Sequence, residues 1–245
     1  MLLVLPLLGA AASAGGADVR PTAPATGSTT TAQVQDAVRF RRSAAPAPAR
    51  RAARTGDWAY LMDGGSRWDP CGGPIGWSYN RTGQRYAARA DVAKAFAKIS
   101  VWSGLKFTYV GRTSYVYRGR LAHFPRRADI AVGWANAAQL KSLAGGVVGI
   151  GGATARQVTD ENVKWKLVKG YLTLDKGAAS YVGRGFKHSG WGQIMMHEIL
   201  HSLGLGHAKH ADQLMYPVAS SRNYRFGAGD RTGMRRIGRS AGCLS

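Results

Sequence analysis

At 245 residues the chain is long enough for one well-buried domain with appendages and too short for two of full size. Its formal net charge of +21 draws it to polyanions in general and names none of them. No stretch shows the aromatic-plus-basic platform or helix-turn-helix spacing of a dedicated nucleic-acid binder, so specific nucleic-acid recognition is not expected, only nonspecific polyanion binding.

Residues 1–14 hold an apolar run from Leu2 to Leu8 and end in Ala12-Ser13-Ala14. This has the length of a signal-peptide core followed by a small-residue cleavage site, although no basic residue precedes it; a short membrane anchor or a buried strand is the alternative. Export and an extracellular location are the expectation. No other segment approaches membrane-spanning length. Residues 15–55 are rich in Ala, Pro, Thr and Arg, with few large apolar side chains, and predict a disordered linker or a short pro-segment. The arginines at Arg41-Arg42 and Arg50-Arg51 read either as processing sites or as a solvated basic stretch.

Aromatic and aliphatic content rises from Gly56, so residues 56–245 are expected to form the folded domain. Ile75 to Asn80 alternates as a strand, with Ile75, Trp77 and Tyr79 on one face. Between Arg85 and Ser103, the positions Ala88, Val92, Ala95, Phe96, Ile99 and Trp102 keep helical spacing, and Gly104 stands where a helix ends. Strand patterns follow at Leu105 to Val110, Ala128 to Val132, Gly146 to Gly151 and Val168 to Leu174, and a helix over Gly190 to Leu203. Strands mixed with a middle and a late helix predict an α+β domain with its chemistry in the C-terminal third. The two cysteines, Cys71 and Cys243, are most simply one disulfide in an exported chain, closing nearly the whole domain into a loop.

The late helix carries His197-Glu198-Ile-Leu-His201-Ser-Leu-Gly204-Leu-Gly-His207. Residues four apart share a helix face, so His197 and His201 can address one ion. A catalytic zinc takes three protein ligands and keeps a position open, so a third ligand must come from beyond the helix. Gly204 can adopt positive φ, end the helix and return His207 to the metal. Glu198, beside the first ligand, is placed to take a proton from the attacking water as general base and pass it to the leaving amine. A closed structural zinc would favour four ligands rich in Cys and would leave Glu198 without a purpose.

His197-Glu-x-x-His201-x-x-Gly204-x-x-His207 resembles the extended zinc signature of the metzincins, and Leu214-Met215-Tyr216-Pro217 resembles their Met-turn. Within that clan the wording is most similar to the matrixins, in particular to small secreted bacterial members with a Trp68-Asp-Pro-Cys71 opening and a Gly242-Cys243 close. The resemblance implies a metzincin-like zincin domain: a twisted, mostly parallel sheet with an antiparallel edge strand, over long helices. It also implies one catalytic Zn2+ on His197, His201 and His207, with Met215 as a hydrophobic base beneath it. The edge strand at Gly146, Val147 and Val148 would bind an extended protein or peptide substrate, and Pro217, Val218 and Ala219 would line the pocket beside the zinc.

Departures from the family pattern matter too. His123 is isolated and Leu172 to Lys176 has little acid, which argues against a second, structural zinc and against calcium. Cys71 in Pro70-Cys71-Gly72 faintly resembles the zinc-blocking cysteine of matrixin pro-segments, but the strand expected from Ile75 leaves little chain to carry it into a cleft. His188 and His210 read as surface histidines, with His210 the rival of His207 for the third position. The sequence therefore predicts a secreted, monomeric zinc endopeptidase. The alternative is a basic extracellular polyanion- or cell-surface-binding protein on an inactive scaffold of the same kind.

Overall fold

The apolar runs of the chain assemble into one mixed sheet, which a computed structural model describes for residues 30–40, 54–84 and 86–244. The signal sequence expected over 1–14 and the paired arginines at 41–42 and 50–51 lie outside those residues. In chain order the elements are β1 (Thr31–Phe40), β2 (Ser66–Arg67), β3 (Ile75–Tyr79), α1 (Arg89–Ser103), β4 (Phe107–Arg112), β5 (Ile130–Ala135), β6 (Val147–Gln157), β7 (Trp165–Asp175), α2 (Trp191–Ser202), β8 (Val218–Ala219) and α3 (Ala228–Ile237). The sheet order is β4-β3-β5-β7-β6-β1-β8, with β2 alongside β7. Strands β4, β3, β5 and β7 are parallel, β6 runs antiparallel to β7, and β1 is antiparallel to β6 but parallel to β8.

The α+β class and the mostly parallel sheet agree with the sequence reading, and the central strands are buried because helices cover one face. Trp77 of β3 stacks on Phe96 of α1 at 5.1 Å between ring centroids, and Phe96 meets Phe107 of β4 at 4.9 Å. Helix α1 stops at Gly104, whose φ of 68° lets its N–H turn back to the Ser100 carbonyl. Helix α2 is buried along its whole length, between β6 and β7 on one side and α1 on the other. On the opposite face of the sheet, Tyr117 and Tyr171 stack over Leu140, Leu143 and Ile150.

The predicted disulfide is present, with Cα atoms of Cys71 and Cys243 5.3 Å apart. Beside it the buried Arg67 donates to the carbonyls of Gly242 and Cys243, so the C-terminus is fastened to β2 by charge-assisted bonds as well.

Two expectations are corrected. Residues 31–40, expected to belong to a disordered linker or a short pro-segment, form a ten-residue strand, which overturns the disorder for this stretch. Composition misjudged them because they contribute little to a core; main-chain bonds to β6 and β8 hold them instead. Consequently the antiparallel strand at Gly146 to Gly151 is not an edge, since β1 covers its outer side. Helix α3 and the two-residue strands β2 and β8 had no counterpart in the sequence reading.

Candidate metal centre

Helical spacing on α2 sets His197 and His201 one turn apart, with ring centroids 4.7 Å from each other. Each Nδ1 lies against a backbone carbonyl, His197 on Leu214 at 2.8 Å and His201 on Leu205 at 2.7 Å. A carbonyl only accepts, so both Nδ1 atoms carry the proton and both Nε2 atoms present lone pairs. Those two Nε2 atoms are 3.0 Å apart. Two lone pairs facing at that distance repel unless a cation lies between them. Burial, reinforced by the neighbouring imidazoles, keeps both rings neutral: His201 is pushed down to about 3 and His197 well below its usual value.

His207 joins them through Gly204. That residue has φ of 103°, and a Cβ there would stand 2.3 Å from the Ser66 carbonyl oxygen, so only glycine allows the chain to end α2 and pass β2 so closely. The ring of His207 lies 4.8 Å from that of His201 and 5.4 Å from that of His197. One ligand atom from each histidine falls within 4.8 Å of the others. Its Nδ1 is 3.0 Å from Asp36 Oδ2, while its Nε2 is buried with no hydrogen-bond partner. Three imidazole nitrogens, two with opposed lone pairs and one orphaned, are the donor set that suits a zinc ion.

Glu198 is fully buried, and neither carboxylate oxygen makes a hydrogen bond. Burial pushes its carboxyl well above the usual range and the charge of Asp36 adds to this; the nearby N–H groups of Val38 and Gly151 oppose it. Strand β6 can lie this close only because of its glycines. A Cβ on Gly149 would stand 2.9 Å from Glu198 Oε1, and one on Gly151 would stand 2.2 Å from the Glu198 carbonyl oxygen.

Met215 is buried in the turn that follows, and that turn is tied on both sides. The Met215 carbonyl accepts from Ala208 N–H, next to His207. The N–H groups of Leu214 and Met215 donate to Asp230 of α3 at 2.6 and 3.1 Å. Asp230 thus holds Leu214, whose carbonyl orients His197. Burial raises its carboxyl to about 6 despite these donors and the Gly227 N–H.

The other histidines stay apart from the cluster. His210 pairs with Asp57 at 2.8 Å, His188 makes a T-shaped contact with Tyr224, and His123 sits in a turn with φ of 62°. The residues expected to bind substrate lie on the two strands that flank β1 in the sheet, or just before them. Val147 and Val148 belong to β6 with Gly146 just before it, while Val218 and Ala219 form β8 with Pro217 just before it. Strand β1 lies between these two strands, with Arg39 N–H donating to the Pro217 carbonyl at 3.0 Å and Phe40 N–H to the Gly146 carbonyl at 3.3 Å.

Sequence reasoning missed Asp36, Asp230, Gly149 and Gly151. The glycines had a signal, since glycine inside a strand pattern marks close backbone approach. Asp36 and Asp230 had none, because their roles exist only once distant segments pack.

None of the curated proteins matches the chain. The profile of the matrixin family matches residues 77–237, well over half of the 245 residues, and it spans α2 with all three histidines. The chain belongs to the matrixin family, whose members are zinc metallopeptidases.

Proposed function

We propose that the protein is a secreted, monomeric zinc endopeptidase in which His197, His201 and His207 hold the metal and Glu198 is the general base. The observation that carries this reading is the convergence of three imidazoles beside a buried glutamate side chain whose oxygens have no hydrogen-bond partner. When bound, zinc supplies the Lewis acidity that acidifies water and polarises a scissile carbonyl. Glu198 takes the proton of the attacking water and returns it to the leaving amine; a carboxyl with a raised pKa is suited to both halves of that transfer. Gly146, Val147 and Val148 on one rim and Pro217 and Val218 on the other hold an extended peptide through main-chain bonds, so the enzyme accepts many sequences. Protein and peptide substrates are therefore its partners. The pair Cys71–Cys243 suits an oxidising, extracellular setting, and no helix among the described residues is long and apolar enough to cross a membrane. The alternative role, a polyanion-binding protein on an inactive scaffold, leaves the intact histidine set and Glu198 without a purpose.

The test is cleavage of an unfolded protein substrate by the zinc-loaded chain, with and without a chelator, beside Glu198→Ala. Because β1 pairs between β6 and β8, the strands assigned to substrate, the assay includes Arg39→Pro, which removes a donor that seats it. Chelation and Glu198→Ala should each abolish cleavage; equal cleavage by Glu198→Ala would overturn the proposed role of Glu198.

A further inference from the structure

A cavity of about 800 Å3 is bounded by β2, residues 55–60, α3 and residues 240–241, and none of the residues assigned above to the metal or to substrate lines it. Its walls combine three arginines, Arg67, Arg235 and Arg236, with the rings of Trp58 and Tyr60. We propose that this cavity binds a phosphorylated sugar, with Arg67 as the anchor of the phosphate. The site is independent of the peptidase reading.

The buried guanidinium of Arg67 calls for an anion. Arg67 is 1% exposed, and it donates to the carbonyls of Gly242 and Cys243 at 2.7 and 3.2 Å. Its Nε is buried without a hydrogen-bond partner, and no carboxylate among the described residues pairs with the charge. A buried charge is costly unless an opposite charge meets it. Fastening the C-terminus would need only a neutral donor, so a full positive charge at this position is suited to an anion that arrives from outside.

The surrounding charges fit the same anion. Arg235 and Arg236 reach the cavity from α3 and likewise make no ion pair among the described residues. Burial raises the pKa of the Tyr60 hydroxyl, and the charges of Arg67 and Arg236 oppose it, so both cations act at that wall. No carboxylate is among the residues that line the cavity. A phosphate monoester carries about two negative charges and three acceptor oxygens, which arginine forks recognise bidentately. Three guanidiniums match it better than they match a singly charged sulfate or carboxylate.

The rest of the lining describes the body of the ligand. The hydroxyls of Thr232 and Ser240 already donate to the carbonyls of Ala228 and Arg235, at 3.1 and 2.8 Å, so what they have left for a ligand is acceptor capacity. Acceptors suit a ligand with O–H groups. Trp58 and Tyr60, with ring centroids 5.1 Å apart, add apolar ring surface for C–H groups. A hydroxylated ring bearing a phosphate meets all of these. A bare phosphate would leave most of the volume unfilled, because cavities of this size hold whole small molecules.

The walls are also set in place by the fold. Gly206 N–H donates to the Ala59 carbonyl, between Trp58 and Tyr60, and Leu61 N–H donates to the Gly204 carbonyl. Ser66, next to Arg67, donates through its hydroxyl to that same Gly204 carbonyl at 3.3 Å. A preformed site loses little conformational freedom when its ligand binds.

A net charge of +21 attracts anions everywhere, so the experiment separates this cavity from the surface as a whole. Calorimetric titration of the full chain uses about 0.15 M salt, where exposed charges are screened. The probe is glucose 6-phosphate, beside glucose, inorganic phosphate and glucose 6-sulfate. Glucose 6-phosphate should bind about tenfold more tightly than any of the other three, and Arg67→Gln and Arg236→Gln should each weaken it about tenfold through the lost charge-assisted bonds. Arg236 is exposed on α3, so its variant carries the test if Arg67→Gln does not fold. Arg112→Gln removes the same charge from the edge strand β4 and should leave binding unchanged. No binding of glucose 6-phosphate, or equal weakening by Arg112→Gln, would overturn the site. Binding of inorganic phosphate or glucose 6-sulfate as tight as that of glucose 6-phosphate would overturn the assignment of a sugar phosphate.

Discussion

Replacing Asp230 tests whether the metal centre is held from behind by α3. The carboxylate accepts from three backbone N–H groups, of Leu214, Met215 and Gly227, at 2.6, 3.1 and 2.7 Å. In Asp230→Ala the buried amides of Leu214 and Met215 lose their acceptor, at about 1–3 kcal/mol each. The Leu214 carbonyl then no longer fixes His197 Nδ1, and loss of such an outer partner typically weakens metal affinity about 10–100-fold. The pH dependence gives a second, independent reading through Asp230→Asn. A carboxyl raised to about 6 in the folded protein, against roughly 3.9 unfolded, binds its proton more tightly when folded. Its contribution to stability is therefore complete below about pH 4 and is lost as pH rises through 6. A difference of about a hundredfold in proton affinity corresponds to about 3 kcal/mol. Asn cannot titrate, so whatever offset separates the two metal-free proteins at pH 4, the advantage of the unaltered protein should shrink by about 3 kcal/mol by pH 7. Urea unfolding across that range measures the offset, and competition with a chromophoric chelator measures zinc affinity. Parallel pH profiles would refute the burial argument; unchanged affinity in Asp230→Ala would refute the link from α3 to His197.

Three further outcomes are expected. Glu198→Gln should raise the thermal midpoint of the metal-free protein, a gain on the order of 1 kcal/mol, while lowering kcat at least about 100-fold, because it removes a buried carboxylate that has no partner. Gly204→Ala should cost at least about 2 kcal/mol in urea unfolding and weaken zinc binding, since φ of 103° and a Cβ 2.3 Å from the Ser66 oxygen both oppose the turn that returns His207. Replacing Cys71 and Cys243 together by Ser should lower unfolding free energy by about 5 kcal/mol, the loop-closure value for a sequence separation of 172 residues, measured against the unaltered oxidised protein.

What the sequence revealed and what it hid divide along a physical line. His197, His201, Gly204 and His207 were legible because a helix period and one glycine turn encode their convergence within eleven residues. The helix of Ala88 to Trp102 and the strands around Trp77, Ile130 and Leu172 were legible because their burial leaves a periodic apolar trace. Helix α3 left a fainter apolar trace, because glycine and aspartate occupy most of its buried face beside Met234 and Ile237. Its Gly229 and Gly233 read as helix breakers, yet a Cβ at Gly229 would stand 2.1 Å from the Asp57 carbonyl oxygen and one at Gly233 3.0 Å from Leu205. Close packing, invisible in a single sequence, demands them. Strand β1 was hidden for a different reason. Composition measures what side chains can bury, and β1 is held through its backbone; its sequence trace is a weak alternation of Ala32, Val34, Val38 and Phe40 with Gln33, Gln35 and Arg39, broken at Asp36.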